Sequence, residues 1–116
     1  MTRTNYDRDR GMALLTMMER IRAFEEQAEL AATRDALVLG AIHLSIGQEA
    51  IPAGLVASLN KTDLLLSTHR GHGHTLAKGA DPTAMMKELL GREGGCCGGK
   101  GGSMHIADFS VGMLGA

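Results

Sequence analysis

Seven of the twelve residues from Gly91 to Gly102, GREGGCCGGKGG, are glycine, and no regular element survives that composition in isolation. Regular structure must therefore be sought before this loop, with only the short tail SMHIADFSVGMLGA after it. The sequence stops at Ala116 on a glycine-rich turn, where a domain seldom ends. Residues 1–116 are expected to be the amino-terminal part of a single domain whose carboxy-terminal part is missing.

Before the loop, the pattern is mainly helical. Met1 to Arg10 is polar and reads as a frayed start. From about Asp9 to Leu39, Met12, Leu15, Met18, Ile21, Ala28 and Ala32 recur near helical spacing among Glu19, Arg20, Arg22, Glu25 and Glu26. This predicts a long amphipathic helix, with an interruption near Thr33 to Asp35 and Gly40 ending it or turning the chain. Ser45 and Gln48 have the form of a capping box, so a second helix is expected to start there and run to about Leu59, with Pro52 favouring a slightly later start. Asp63 and the Leu64–Leu66 run predict a short buried strand. Asp81 and Pro82 open a further helix, with Met85, Met86, Leu89 and Leu90 on its buried face and Gly91 at its end.

With twelve basic and thirteen acidic residues the net charge is −1, so no overall field points to nucleic acid or an anionic membrane. Tyr6, Phe24 and Phe109 are the only aromatics, which leaves Leu, Ile, Ala and Met to build the core. No apolar run is long enough to span a bilayer and no secretory leader pattern is present, so a cytoplasmic location is expected. The adjacent Cys96 and Cys97 fit neither a disulfide framework nor the two-residue spacing of zinc or redox motifs, and read as reduced thiols in a loop.

The chemistry is expected in LLLSTHRGHGHTLAKG, Leu64 to Gly79, where His69, Arg70, His72 and His74 fall within six positions behind the leucine run. Gly71 and Gly73 are read as letting the backbone turn or approach a ligand closely. A metal site built on the three histidines, joined by His43 or His105, is weakly supported: no carboxylate sits among them, and the spacing matches no metal pattern. A nucleotide P-loop fails because Lys100 is followed by Gly101 where Ser or Thr is required. Anion binding fits better. Arg70 offers a two-pronged fork for phosphate, His69 a further donor, and the glycines expose backbone N–H groups. His43, at the mouth of the second helix, suits carboxylate binding or proton transfer near neutral pH. The competing structural reading makes these histidines satisfied by neighbouring backbone groups, but together they form a dense set.

HLSIGQEA (His43 to Ala50), STHRGHGHTLAKG (Ser67 to Gly79), MMKELLGREGG (Met85 to Gly95) and GKGGSMHIAD (Gly99 to Asp108) occur in that order. With these motifs the chain, from about Arg22 to Ala116, resembles the amino-terminal part of the alpha subunit of thiamine-diphosphate-dependent 2-oxo acid and acetoin dehydrogenases. The THRGHGH wording is more similar to the acetoin branch, since pyruvate dehydrogenase alpha subunits more often carry tyrosine where this chain has His69.

The resemblance implies an α/β thiamine-diphosphate-binding fold, here truncated to its mostly helical amino-terminal portion with one short strand. It implies that His69 and Arg70 contact the cofactor diphosphate and that His43 and His72 are the catalytic candidates, His43 on the substrate side. His105 matches a family position near the site, while Gln48 and Glu49 are read as packing or interface residues. The cofactor serves as electron sink while a C–C bond beside a carbonyl breaks, and the two-carbon unit passes to a lipoyl-bearing acyltransferase. The implied partners are a beta subunit, which supplies the glutamate that activates the cofactor, and that acyltransferase, in a heterotetrameric dehydrogenase component. Magnesium is expected to be held by residues beyond Ala116, so this polypeptide alone is expected to be inactive. The rival from another class is a non-catalytic helical module, in which the long helix binds a partner and the histidines are structural.

Overall fold

A computed structural model describes residues 7–38 and 40–116. Four helices, α1 (Arg8–Thr33), α2 (Ala50–Val56), α3 (His72–Lys78) and α4 (Pro82–Leu89), precede the glycine loop, and two short strands, β1 (Leu65–Leu66) and β2 (Met113–Gly115), pair in parallel. The expected α/β class with a mostly helical amino-terminal portion is therefore what the chain forms. No described helix is long and apolar enough to cross a membrane.

Asp7 caps α1 by accepting from the N–H of Asp9, so Arg8 to Arg10 are helical rather than frayed; Met1 to Tyr6 lie outside the described residues. The helix closes at Thr33, where the expected interruption falls, and Leu39, its expected limit, also lies outside the described residues. Its buried stripe is Ile21, Phe24, Ala28 and Ala31, with the carboxylate of Glu25 inserted among them. Leu76 of α3, Ala80 just beyond it, Met85 and Leu89 of α4, and Ile106 complete the core against that stripe.

The second helix differs from expectation. Ser45 does not cap it, because its hydroxyl donates to Glu25 instead; the helix starts at Ala50 and ends at Val56, with Pro52 in its first turn. The third helix replaces an expected turn. Gly71 and Gly73 serve close packing there: a Cβ at Gly73 would lie 2.8 Å from Cγ of Pro52 and 3.2 Å from Cγ2 of Ile21, so the missing side chain lets α3 sit against α1 and α2. The fourth helix follows the sequence closely, Asp81 accepting from the N–H groups of Thr83 and Ala84 with Pro82 at the first position.

Strand β1 is shorter and more open than the leucine run implied. Leu65 N donates to Gly112 O and Ser67 N to Gly115 O, while Leu64 and Leu66 remain 69% and 67% exposed. The cause is local: β1 is paired on one side only, and no described element packs over these two leucines.

Candidate functional site

Three segments of irregular backbone converge beside α1: His43 to Ser45, Thr68 to Arg70, and the 3-10 turn Ser103–His105. Buried polar groups hold them together. Glu25 and His72 are both fully buried, with Nδ1 of His72 3.0 Å from Oε2 of Glu25. The hydroxyl of Ser45 donates to Oε1 of Glu25 at 2.7 Å. On the other side of the ring, Nε2 of His72 lies 2.9 Å from Oγ of Ser103, which accepts from the backbone N–H of His43 at 3.0 Å. A neutral imidazole satisfies every partner when Nδ1–H donates to Glu25 and Ser103 donates to Nε2. Phe24 meets the same ring edge-on, centroids 5.9 Å apart.

This network determines where His43 sits. Its backbone is pinned through Ser103, and its ring stands edge-on to the His69 ring, with centroids 5.0 Å apart. Arg70 donates through Nη1 to the carbonyl of Leu44, which orients the guanidinium and leaves its other N–H groups available. With Ser45, Gln48, Thr68 and His74, Arg70 lines a cavity of about 260 Å³. His74 stands one helical turn beyond Arg70. Burial lowers its pKa, opposed by the Arg70 carbonyl, and its Nδ1 has no hydrogen-bond partner among the described residues.

Three larger grooves, of about 510, 480 and 390 Å³, lie along α1 and, like the smaller cavity, are mostly apolar in their lining. None of the three contains His43, His69 or Arg70, whereas the smaller cavity contains Arg70 and is the better match to the chemistry on that ground.

His43 and His69 are thus brought ring to ring, and Arg70, next to His69, reaches back to the Leu44 carbonyl from a cavity that neither histidine lines. His72 is apart from them: both ring nitrogens are engaged and the ring is enclosed, so its geometry is that of a positioning residue. His105 is exposed, on the 3-10 turn. Gln48 is exposed at the cavity rim, while Glu49 accepts from Nε of Arg22 at 2.6 Å and from the N–H of Gly47 at 2.8 Å, tying the segment before α2 to α1. The Arg22 hydrogen bond is the main reason that the Glu49 carboxyl falls to about 2, against an opposing effect of burial.

Glu25, Ser45, Ser103 and Glu88 are the polar residues that sequence reasoning missed as structural centres. A signal existed for both acids: Glu25 falls on the stripe with Ile21, Phe24 and Ala28, and Glu88 falls between Met85 and Leu89. A carboxylate on a buried helical face requires partners from elsewhere in the fold. Glu88 finds four, the N–H groups of Cys97, Gly99, Gly101 and Gly102, at 2.8, 2.8, 2.7 and 3.2 Å. The glycine loop is therefore ordered around a carboxylate.

Residues 16–115 match the family described as dehydrogenase E1 component, and the chain belongs to that family. Among its relatives, the alpha subunit of acetoin:2,6-dichlorophenolindophenol oxidoreductase from Cupriavidus necator is 50% identical over 110 residues, which cover 95% of this chain and 33% of that one. The Bacillus subtilis subunit of the same description is 47% identical over 109 residues, 93% of this chain and 32% of that one. The human pyruvate dehydrogenase E1 component subunit alpha, somatic form, is 40% identical over 99 residues, 85% and 25% of the two chains. The chain spans about a third of the length of the two acetoin relatives, at 33% and 32%.

Proposed function

We propose that this chain forms the diphosphate-facing portion of a thiamine-diphosphate-dependent E1 alpha subunit that acts on acetoin, with pyruvate or a branched-chain 2-oxo acid as the second reading. The carrying observation is the placement of Arg70 in a cavity it shares with Ser45, Gln48, Thr68 and His74, with the neighbouring His69 ring set against that of His43. A cation with further N–H donors beside the Thr68 hydroxyl suits a diphosphate, so the residues present fit that end of the cofactor. Acetoin is favoured over pyruvate because identity is 50% and 47% to subunits named for acetoin, against 40% to one named for pyruvate.

In this reading Arg70 binds the diphosphate and His69 donates a further hydrogen bond to it. His43, held against His69, moves a proton at the substrate. His72 keeps Ser103, and through it the His43 backbone, in place. Bound thiamine diphosphate supplies the electron sink for C–C cleavage next to a carbonyl. A beta subunit, a lipoyl-bearing acyltransferase as acyl acceptor, magnesium ligands outside residues 1–116 and a cytoplasmic location complete the proposal.

The test uses the whole subunit assembled with its beta partner. Arg70→Ala is expected to weaken thiamine diphosphate binding by on the order of 2–5 kcal/mol. His43→Ala is expected to lower turnover more than cofactor affinity. Unchanged cofactor affinity in the arginine variant would remove the assignment, and equal losses of turnover and affinity in the histidine variant would move His43 out of the substrate shell. Parallel assays with acetoin, pyruvate and branched-chain oxo acids separate the two substrate readings.

A further inference from the structure

Where α4 meets the glycine loop, Glu88, Cys96 and Cys97 bring one carboxylate oxygen and two sulfur atoms within 4.8 Å of one another. None of the three lines the cavity that holds Arg70. Their placement is built by the backbone rather than by loose side chains. Four N–H groups of the loop converge on Glu88, and a Cβ at Gly95 or Gly99 would lie 2.4 Å from Oε2 of Glu88 or 2.5 Å from the Arg92 carbonyl. Both thiols are free and partly accessible, and Cys97 donates its S–H to the carbonyl of His105 at 3.1 Å.

Three acidic groups this close repel one another once ionised, and the Cys96 thiol is pushed up to about 12, by burial first and then by Cys97 and Glu88. A cation relieves that crowding. Tetrahedral zinc with Zn–S bonds near 2.3 Å and a Zn–O bond near 2.0 Å sets its sulfur ligands about 3.8 Å apart and the oxygen about 3.5 Å from each, so the cluster needs to contract by about 1.3 Å at most. Two sulfurs select a soft ion over magnesium or calcium, which take oxygen.

We propose that Cys96, Cys97 and Glu88 form a binding site for one thiophilic divalent cation of the zinc class. Two S–H bonds break, two metal–sulfur bonds form, two protons leave to solvent and no electron changes hands. Glu88 already takes two N–H groups on each oxygen, so its ligation releases one of them, the Gly102 bond at 3.2 Å being the longest. The fourth position is left to water.

The full chain, reduced, is titrated with cadmium chloride while the ultraviolet thiolate-to-cadmium band and proton release are followed. The expected result is saturation at one cadmium and two protons per chain, with displacement by zinc and none by excess magnesium. Cys96→Ser and Cys97→Ser, which keep the size of each side chain, are expected to lower cadmium affinity roughly 10- to 100-fold with the far-ultraviolet dichroism unchanged. No band at one equivalent, or unchanged affinity in the double serine variant, overturns the proposal. So does equal affinity in the urea-unfolded chain, since a loose pair of thiols is not a built site.

Discussion

At the carboxylate of Glu88, burial and hydrogen bonding act in opposite directions. Burial alone raises its pKa, and the N–H groups of Gly99, Cys97, Gly101 and Gly102 together reverse that and hold it below the ordinary carboxylate range. Glu88→Gln removes the charge and turns an amide NH₂ toward backbone donors. It is expected to cost on the order of 3 kcal/mol or more, with faster amide hydrogen exchange at Cys97, Gly99 and Gly101 than in the parent chain. Unaltered exchange there would mean that the loop orders itself without the carboxylate. Glu49 gives a pH signature. Its folded pKa, about 2, is below its ordinary 4.5, so its contribution is complete above the ordinary value and is lost as the pH falls through the folded one. Acid titration of unfolding stability is expected to show Glu49→Gln converging with the parent chain between about pH 5 and pH 2. A gap that stays constant over that range would show that the Arg22 pairing contributes nothing.

Helix α3 is the element on which the site depends, because it starts two residues after Arg70 and carries His72 inward. Its one internal glycine, Gly73, meets a different demand from Gly54 in α2. Gly73→Ala introduces a Cβ 2.8 Å from Pro52, and the expected result is destabilisation by about 1–3 kcal/mol with α3 displaced. Gly54→Ala meets nothing within 4 Å and is expected to stabilise by about 0.5–1 kcal/mol. Chemical denaturation of both variants checks the contrast, and equal effects would refute the packing role of Gly73. The same contrast explains what was legible in advance. Local chemistry identified α4, whose cap, Asp81 and Pro82, lies beside it in sequence, and identified most of α1 by its period. It misread Ser45 and Gly73, because the group that decides each position, Glu25 or Pro52, comes from another element. His69 and Arg70 could be grouped by their adjacency in sequence, whereas the enclosure of His72 required the distant Ser103.

As a whole, the chain extends over 50 × 31 × 20 Å. A 26-residue helix is about 39 Å long, and the first half of α1 reaches past the core with Met12 and Leu15 largely exposed. At the sheet, Leu64, Leu66 and Phe109 are exposed at 69%, 67% and 75% beside a strand paired on one side only. Such an edge recruits another strand or another copy. Sedimentation of the chain alone is expected to show concentration-dependent association, reduced in a Leu64→Lys, Leu66→Lys variant; a parent chain that stays monomeric at high concentration would contradict this.

The bond between the His43 amide and the Ser103 hydroxyl spans 60 residues, and those of His72 to Glu25 and Ser103 span 47 and 31. Closing loops of this length costs chain entropy that the local bonds of a helix do not. During synthesis the ribosome must deliver Ser103 before either bond to its hydroxyl can form. A nascent chain stalled short of that serine therefore carries the residues of its four helices and its arginine, and still lacks the clasp that seats His43.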